Sequence, residues 1–130
     1  MAIGNGVVQS LIRNDLQHLA APGPDFELVV FEGADAIARL FTIWDISATF
    51  RQQAQAHPSP KAEAMAATFI TDVPVLIGAW RRRHQAEWDL PGTASDDLIV
   101  VEGNNRMLAI ALRASWNLRL PSCVGVFVRV

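Results

Sequence analysis

Cysteine and lysine are almost missing from this chain, which has one of each, Cys123 and Lys61. A single cysteine excludes a disulfide framework within the chain and any structural zinc site built on several thiolates. Nothing in it argues for an oxidising compartment. The three histidines, His18, His57 and His84, lie far apart without metal-ligand spacing, so a histidine metal site is not expected either. No run reaches the roughly 18 uninterrupted apolar residues of a membrane span. The first residues, MAIGNGVVQSLIRNDLQ, lack the basic start and apolar core of a signal peptide. The expectation is a soluble cytoplasmic protein with no membrane partner.

Charge is also scarce. Charged residues make up 18% of the 130 residues and the formal net charge is -2, which disfavours coating nucleic acid by bulk charge. Apolar residues make up 51%, enough for a core and too many for a disordered tail. At this length one domain spanning 1–130 is expected. Lysine being nearly absent, arginine carries almost all of the positive charge. Its planar fork suits bidentate binding of phosphate or carboxylate, although a GC-rich genome produces the same bias.

Apolar positions Val8, Leu11, Ile12, Leu16 and Leu19 have helical spacing over 7–20, ended by Pro22, Gly23 and Pro24. FELVVF at 26–31 reads as a strand. The segment 34–57 is mostly helical in composition, with a break near Trp44–Ser47. HPSPK at 57–61 is a turn, 61–71 an Ala-rich helix, 75–88 another helix, and 89–97 a polar loop. DLIVV at 97–101 is a short buried strand, EGNN at 102–105 a tight turn, 106–117 a helix, and 123–130 a second strand. Strand, helix and strand in that order predict a crossover unit with parallel strands. The strand at 123–130 is apolar on both faces except at Arg129. It is therefore either central in the sheet or covered by a partner subunit, which leaves a homo-oligomer open. The expected fold class is α/β (α+β), a small mixed sheet with packed helices and its motif core at 97–130.

Glu102-Gly103-Asn104-Asn105-Arg106 stands where a strand hands over to a helix. Backbone N–H groups at a helix start attract anions. Gly103 lets a ligand approach the backbone closely. Asn104 and Asn105 offer amide donors or helix caps, and Arg106 offers a donor fork. At about 100° per residue Arg113 and Asn117 share the face of Arg106, while Leu108, Ala111, Leu112 and Ser115 lie opposite. The same stretch is also what an ordinary tight turn with an Asn cap looks like. A second candidate is the run Arg81, Arg82, Arg83, His84 between Trp80 and Trp88, a combination that can bind single-stranded nucleic acid or simply form a solvated helix face. No Ser/His/Asp arrangement, Walker motif or dinucleotide fingerprint is present.

IVVEGNNRMLAIAL, followed by the Pro turn and Val-rich strand of LPSCVGVFVRV, resembles the core motif of the ParB/sulfiredoxin-like superfamily over residues 97–130. Gly103 and Arg106 match that motif, and Glu102 matches a subset of members. The resemblance implies nucleotide phosphate binding at the turn. Its relatives include CTP-binding chromosome-partition proteins, nucleases, small-molecule kinases and sulfiredoxins. Asn104 stands where sulfiredoxins carry their reactive cysteine, and Asn105 where a histidine follows, so sulfiredoxin chemistry is not implied. Partition proteins carry a more basic turn, an upstream motif for which ATFRQQ around Arg51 could stand in, and a DNA-binding helical domain for which 130 residues leave little room.

The leading expectation is thus a nucleotide or other phosphorylated ligand held by Gly103, Asn104, Asn105, Arg106 and Arg113. Glu102 would be the acid/base or Mg²⁺ contact, with nuclease, NTPase or small-molecule kinase activity open. The alternative is a non-catalytic DNA- or protein-binding module using Arg81, Arg82 and Arg83.

Overall fold

The computed structural model describes residues 26–57 and 59–130. The helix expected at 7–20 lies outside the described residues. Strand β1, Phe26–Phe31, leads through Glu32 into helix α1, Gly33–Arg39. Helix α2, Phe50–Ala56, and helix α3, Pro60–Ala67, follow. Strand β2, Val75–Arg81, runs into two single 3₁₀ turns, Arg82–His84 and Ala86–Trp88. Strand β3, Leu98–Glu102, helix α4, Asn104–Ser115, and strand β4, Val124–Arg129, complete the chain.

The four strands form one mixed sheet in the order β1-β4-β2-β3. β4 runs parallel to β2 and antiparallel to β1, and β3 is antiparallel to β2. Two sequence expectations fail here. The crossover at the C-terminal end does not join neighbouring parallel strands, because β2 lies between β3 and β4 and those two run in opposite directions. The parallel neighbour of β4 is β2. Residues 75–88 are not a helix. VLIGAW is a continuous apolar run, and periodicity alone cannot tell a buried helix from a strand buried on both faces. Its five leading residues are all buried, as an interior strand requires. β4 is the other interior strand, so its apolar faces match the first of the two alternatives raised by its sequence.

The core lies between one sheet face and α4. Val75, Ile77 and Ala79 on β2 and Val124, Val126 and Val128 on β4 alternate inward, as strand geometry dictates. They meet Met107, Leu108, Ile110, Ala111 and Leu112 of α4. Helices α1, α2 and α3 all pack against α4. Thus α4 is the central helix among the described residues.

The break in 34–57 is wider than the sequence suggests, running from Leu40 to Thr49. Phe41 pairs with Ile99 of β3 and with Thr49, closing a loop whose polar groups satisfy one another. Thr42 is fully buried; its Oγ1 accepts from Asp45 N–H at 2.8 Å and donates to Asp45 C=O at 3.1 Å. Asp45 Oδ1 accepts from Ser47 Oγ at 2.6 Å and from Ser47 N–H at 3.0 Å. The Ser47 side-chain bond, then its backbone bond, hold the Asp45 carboxyl below its ordinary value. A lowered folded pKa contributes stability above the unfolded value, and that contribution is lost as pH falls through the folded one. Asp45→Asn should therefore lower Tm slightly at neutral pH, with the gap closing below about pH 4, near the ordinary aspartate value. A gap independent of pH in thermal unfolding would contradict this.

Candidate cleft at the start of helix α4

Gly103 is the N-cap of α4, with φ 96° and ψ 22°, a left-handed conformation that glycine adopts without strain. Helix α4 consequently begins at Asn104, two residues earlier than the sequence pattern indicates, and no side chain caps it. Gly103 is also packed tightly: a Cβ there would sit 2.5 Å from Ile77 Cγ2 on β2. The close approach that glycine permits is thus made to β2.

Asn104 is buried and spans two segments. Its Nδ2 donates to Val100 C=O at 2.9 Å, and its Oδ1 accepts from Ile43 N–H at 3.1 Å. Both ends of the amide are engaged within the protein and the residue is 8% exposed, so little of the Asn104 side chain is left to a ligand. It instead ties the 42–47 loop to the β3–α4 turn. The Asn105 side chain makes no hydrogen bond among the described residues, nor do the backbone N–H groups of Asn104 and Asn105. First-turn N–H groups have no intrahelical acceptor.

These groups border an open cleft of about 350 Å³. Glu102, Gly103, Asn104, Asn105 and Arg106 form one side of its lining. Among the described residues, Ile43 and Trp44 of the loop, Lys61 and Met65 of α3, and Val101 of β3 also line it. Arg106 Nη2 lies 3.7 Å from Glu102 Oε1, and both side chains are partly exposed. Lys61 is exposed and makes no ion pair among the described residues. Among the described residues two cations and one carboxylate line the cleft, and the positive end of the α4 dipole adds to them.

The turn stands out in the sequence, whereas Lys61 and Trp44 do not. Lys61 follows Ser59 and Pro60, which start α3 as N-cap and first residue; Ser59 Oγ accepts from Ala62 N–H at 3.1 Å. That places the lysine in a first helical turn, where the dipole disfavours a cation. Ser-Pro-Lys ahead of an Ala-rich run carried that signal. Trp44, 48% exposed, gave no signal by spacing, because its approach to the turn depends on Asn104 holding Ile43.

Arg113 is turned away from the cleft's lining. Its Nη1 donates to Ala66 C=O at 2.8 Å, at the end of α3, and its Nε donates to Arg119 C=O at 2.8 Å. The first of these carbonyls lies in the last turn of α3, and the second in the loop before β4. The alternative site is similarly committed. Arg81 pairs with Glu27 and Arg83 with Asp96, while Arg82 is buried against Asp97 and two carbonyls. Trp80 is covered by the Arg129 guanidinium, 4.4 Å from the ring centroid. The three arginines do not form one helix face, because they straddle the end of β2 and a 3₁₀ turn. Cys123 is 3% exposed and burial pushes its thiol pKa up, which leaves it a poor nucleophile.

No helix among the described residues is long and apolar enough to cross a membrane, and no group of three or more His, Cys, Asp or Glu there could hold a metal ion. The chain matches no protein-family model, no curated protein and no solved structure.

Proposed function

We propose that the cleft binds a small phosphorylated ligand such as a nucleotide. The observation that carries this reading is a convergence from two helices. Lys61 from α3 and Arg106 from α4 line the same cleft as the α4 start, where the N–H groups of Asn104 and Asn105 have no protein acceptor among the described residues. Charge-assisted bonds from ammonium and guanidinium groups are stronger than neutral ones, and helix-start N–H groups add donors for the same oxygens. The resemblance of the EGNNR turn to ParB/sulfiredoxin-like domains implies the same class of ligand. In this reading Arg106 and Lys61 neutralise phosphate charge and Asn105 donates to it. Asn104 holds the loop, and Arg113 belongs to the scaffold.

Glu102 has a narrower role than general base. It is the one carboxylate in the lining among the described residues, and it faces Arg106. Mg²⁺ is commonly held by one or two carboxylates together with substrate phosphates and water. That donor set fits Glu102 plus a di- or triphosphate, and when bound Mg²⁺ would neutralise phosphate charge there. Nuclease, NTPase and small-molecule kinase activities remain further proposals for this site, without a nucleophile assigned.

A thermal-shift panel of nucleotides and pyrophosphate, with and without Mg²⁺, tests the reading. A ligand at 100 times its Kd adds about 2.7 kcal/mol, several degrees for a domain of this size. Wild type should shift with at least one compound. Arg106→Ala and Lys61→Ala should each lose most of that shift while keeping a near-normal Tm without ligand. No shift for wild type with any phosphate compound removes the basis of the proposal.

A further inference from the structure

We infer that Trp44 is a stacking platform for a flat ring carried by the ligand, which makes the ligand a nucleotide with its base placed on the 42–47 loop. This rests on the phosphate reading of the same cleft. A single exposed aromatic residue is commonplace on protein surfaces. Trp44 differs in what holds it. Its loop is fastened at several points: Thr42 N–H donates to Ala48 C=O at 3.1 Å, Ile43 N–H to Asn104 Oδ1 at 3.1 Å, and Ala48 N–H to Asp45 C=O at 3.0 Å. Arg82 Nη2 donates to Ile46 C=O at 2.7 Å, fixing the loop from the other side. Flexibility therefore does not explain the exposure. A well-fastened backbone carries a 48% exposed indole into the lining of the cleft that holds Lys61 and Arg106.

The rest of the lining agrees. Ile43, Met65 and Val101 add apolar surface, and Ile43 and Val101 are themselves 39% and 38% exposed. A bare phosphate or sugar phosphate would leave that surface in water. A base joined to a phosphate would use both the apolar and the cationic lining. Stacking on an indole is tolerant of base identity, because every base has a π-face. The two sides of the cleft are also coupled. Asn104 sits at the first position of α4 and bonds the residue just before Trp44, which makes it a positioning residue for the platform.

The experiment compares nucleoside 5′-monophosphates with ribose 5-phosphate by isothermal titration, since ribose 5-phosphate keeps the sugar and phosphate and carries a hydroxyl in place of the base. Wild type should bind at least one nucleotide about tenfold more tightly than ribose 5-phosphate, the size expected for one stacked base. Trp44→Ala should bring the nucleotide to the ribose 5-phosphate level, and Trp44→Phe should keep most of the preference. Unfolding curves of both variants exclude loss of fold as the cause, and Trp44→Phe retains a ring where Trp44→Ala does not. Equal binding of the two compounds by wild type, or a preference that survives Trp44→Ala, overturns the stacking role and leaves the phosphate site standing. Failure of every phosphate compound to bind wild type overturns both.

Discussion

Replacing Arg82 by alanine should destabilise the fold by about 3–5 kcal/mol, the range for breaking a buried ion pair. The neighbouring Arg83→Ala should change stability by under about 1 kcal/mol, as expected of a surface pair. The two residues are adjacent in a basic run, and the difference lies in burial. The Arg82 side chain is 1% exposed, against 48% for Arg83. Its Nε lies 3.3 Å from Asp97 Oδ2, its Nη1 donates to Trp88 C=O at 3.0 Å, and its Nη2 donates to Ile46 C=O at 2.7 Å. The guanidinium carbon also lies 5.0 Å from the Phe41 ring centroid. One planar fork joins the 42–47 loop, the 3₁₀ turns after β2 and the segment before β3. Truncation removes the donors of two carbonyls at once and leaves the Asp97 carboxylate with the Ala94 N–H at 3.2 Å. Arg82→Lys keeps the charge but cannot supply donors in three fixed directions, so an intermediate loss is expected. Urea denaturation of the three variants measures this. Equal effects of Arg82→Ala and Arg83→Ala would contradict it.

Gly103→Ala should cost about 2–4 kcal/mol, the sum of a strained left-handed residue and an overpacked contact. The two parts are separable. Gly92 also has a positive φ, 79°, but nothing lies within 4 Å of a Cβ placed there. Gly92→Ala should therefore show the conformational part alone, about 1 kcal/mol. At Gly103 the added methyl meets Ile77 Cγ2 and Cβ at 2.5 and 3.2 Å, and Ile77 is fully buried on an interior strand with no room to retreat. Ile77→Ala removes the offending atom. A double-mutant cycle of Gly103→Ala with Ile77→Ala should then show a favourable coupling of about 1 kcal/mol or more. Additive effects in the cycle would show that the methyl is accommodated some other way.

These two positions also show how far the sequence could be read. β1 at 26–31 was legible to the residue, because FELVVF is bounded by Pro24 and Gly33. The strand–turn–helix at 98–115 was legible because Gly103 punctuates it. β2 was misread because interior strands lose the alternation that distinguishes strand from helix. The direction of β4 relative to β3 was misread because a strand–helix–strand order does not say which strand comes between them. In the site, Gly103, Asn105 and Arg106 were legible as a local cluster. Lys61 and Trp44 were not, because they reach the cleft through α3 packing on α4 and through the Asn104 bond, both long-range contacts. Arg113 was read toward a ligand from its helical face and Arg82 from a basic run between tryptophans, both local patterns. Carbonyl acceptors distant in sequence, invisible in a single chain of letters, occupy both side chains.

Backbone amide chemical-shift mapping tests the central claim most directly. A ¹⁵N-labelled protein titrated with pyrophosphate and with a nucleotide should show its largest, saturable shifts at Asn104, Asn105 and Arg106, with accompanying changes near Lys61. The nucleotide alone should add changes at Ile43 and Trp44. Saturable shifts centred on Arg81–Arg83 and Trp88, or none at the start of α4, would contradict the placement of a phosphate ligand in this cleft.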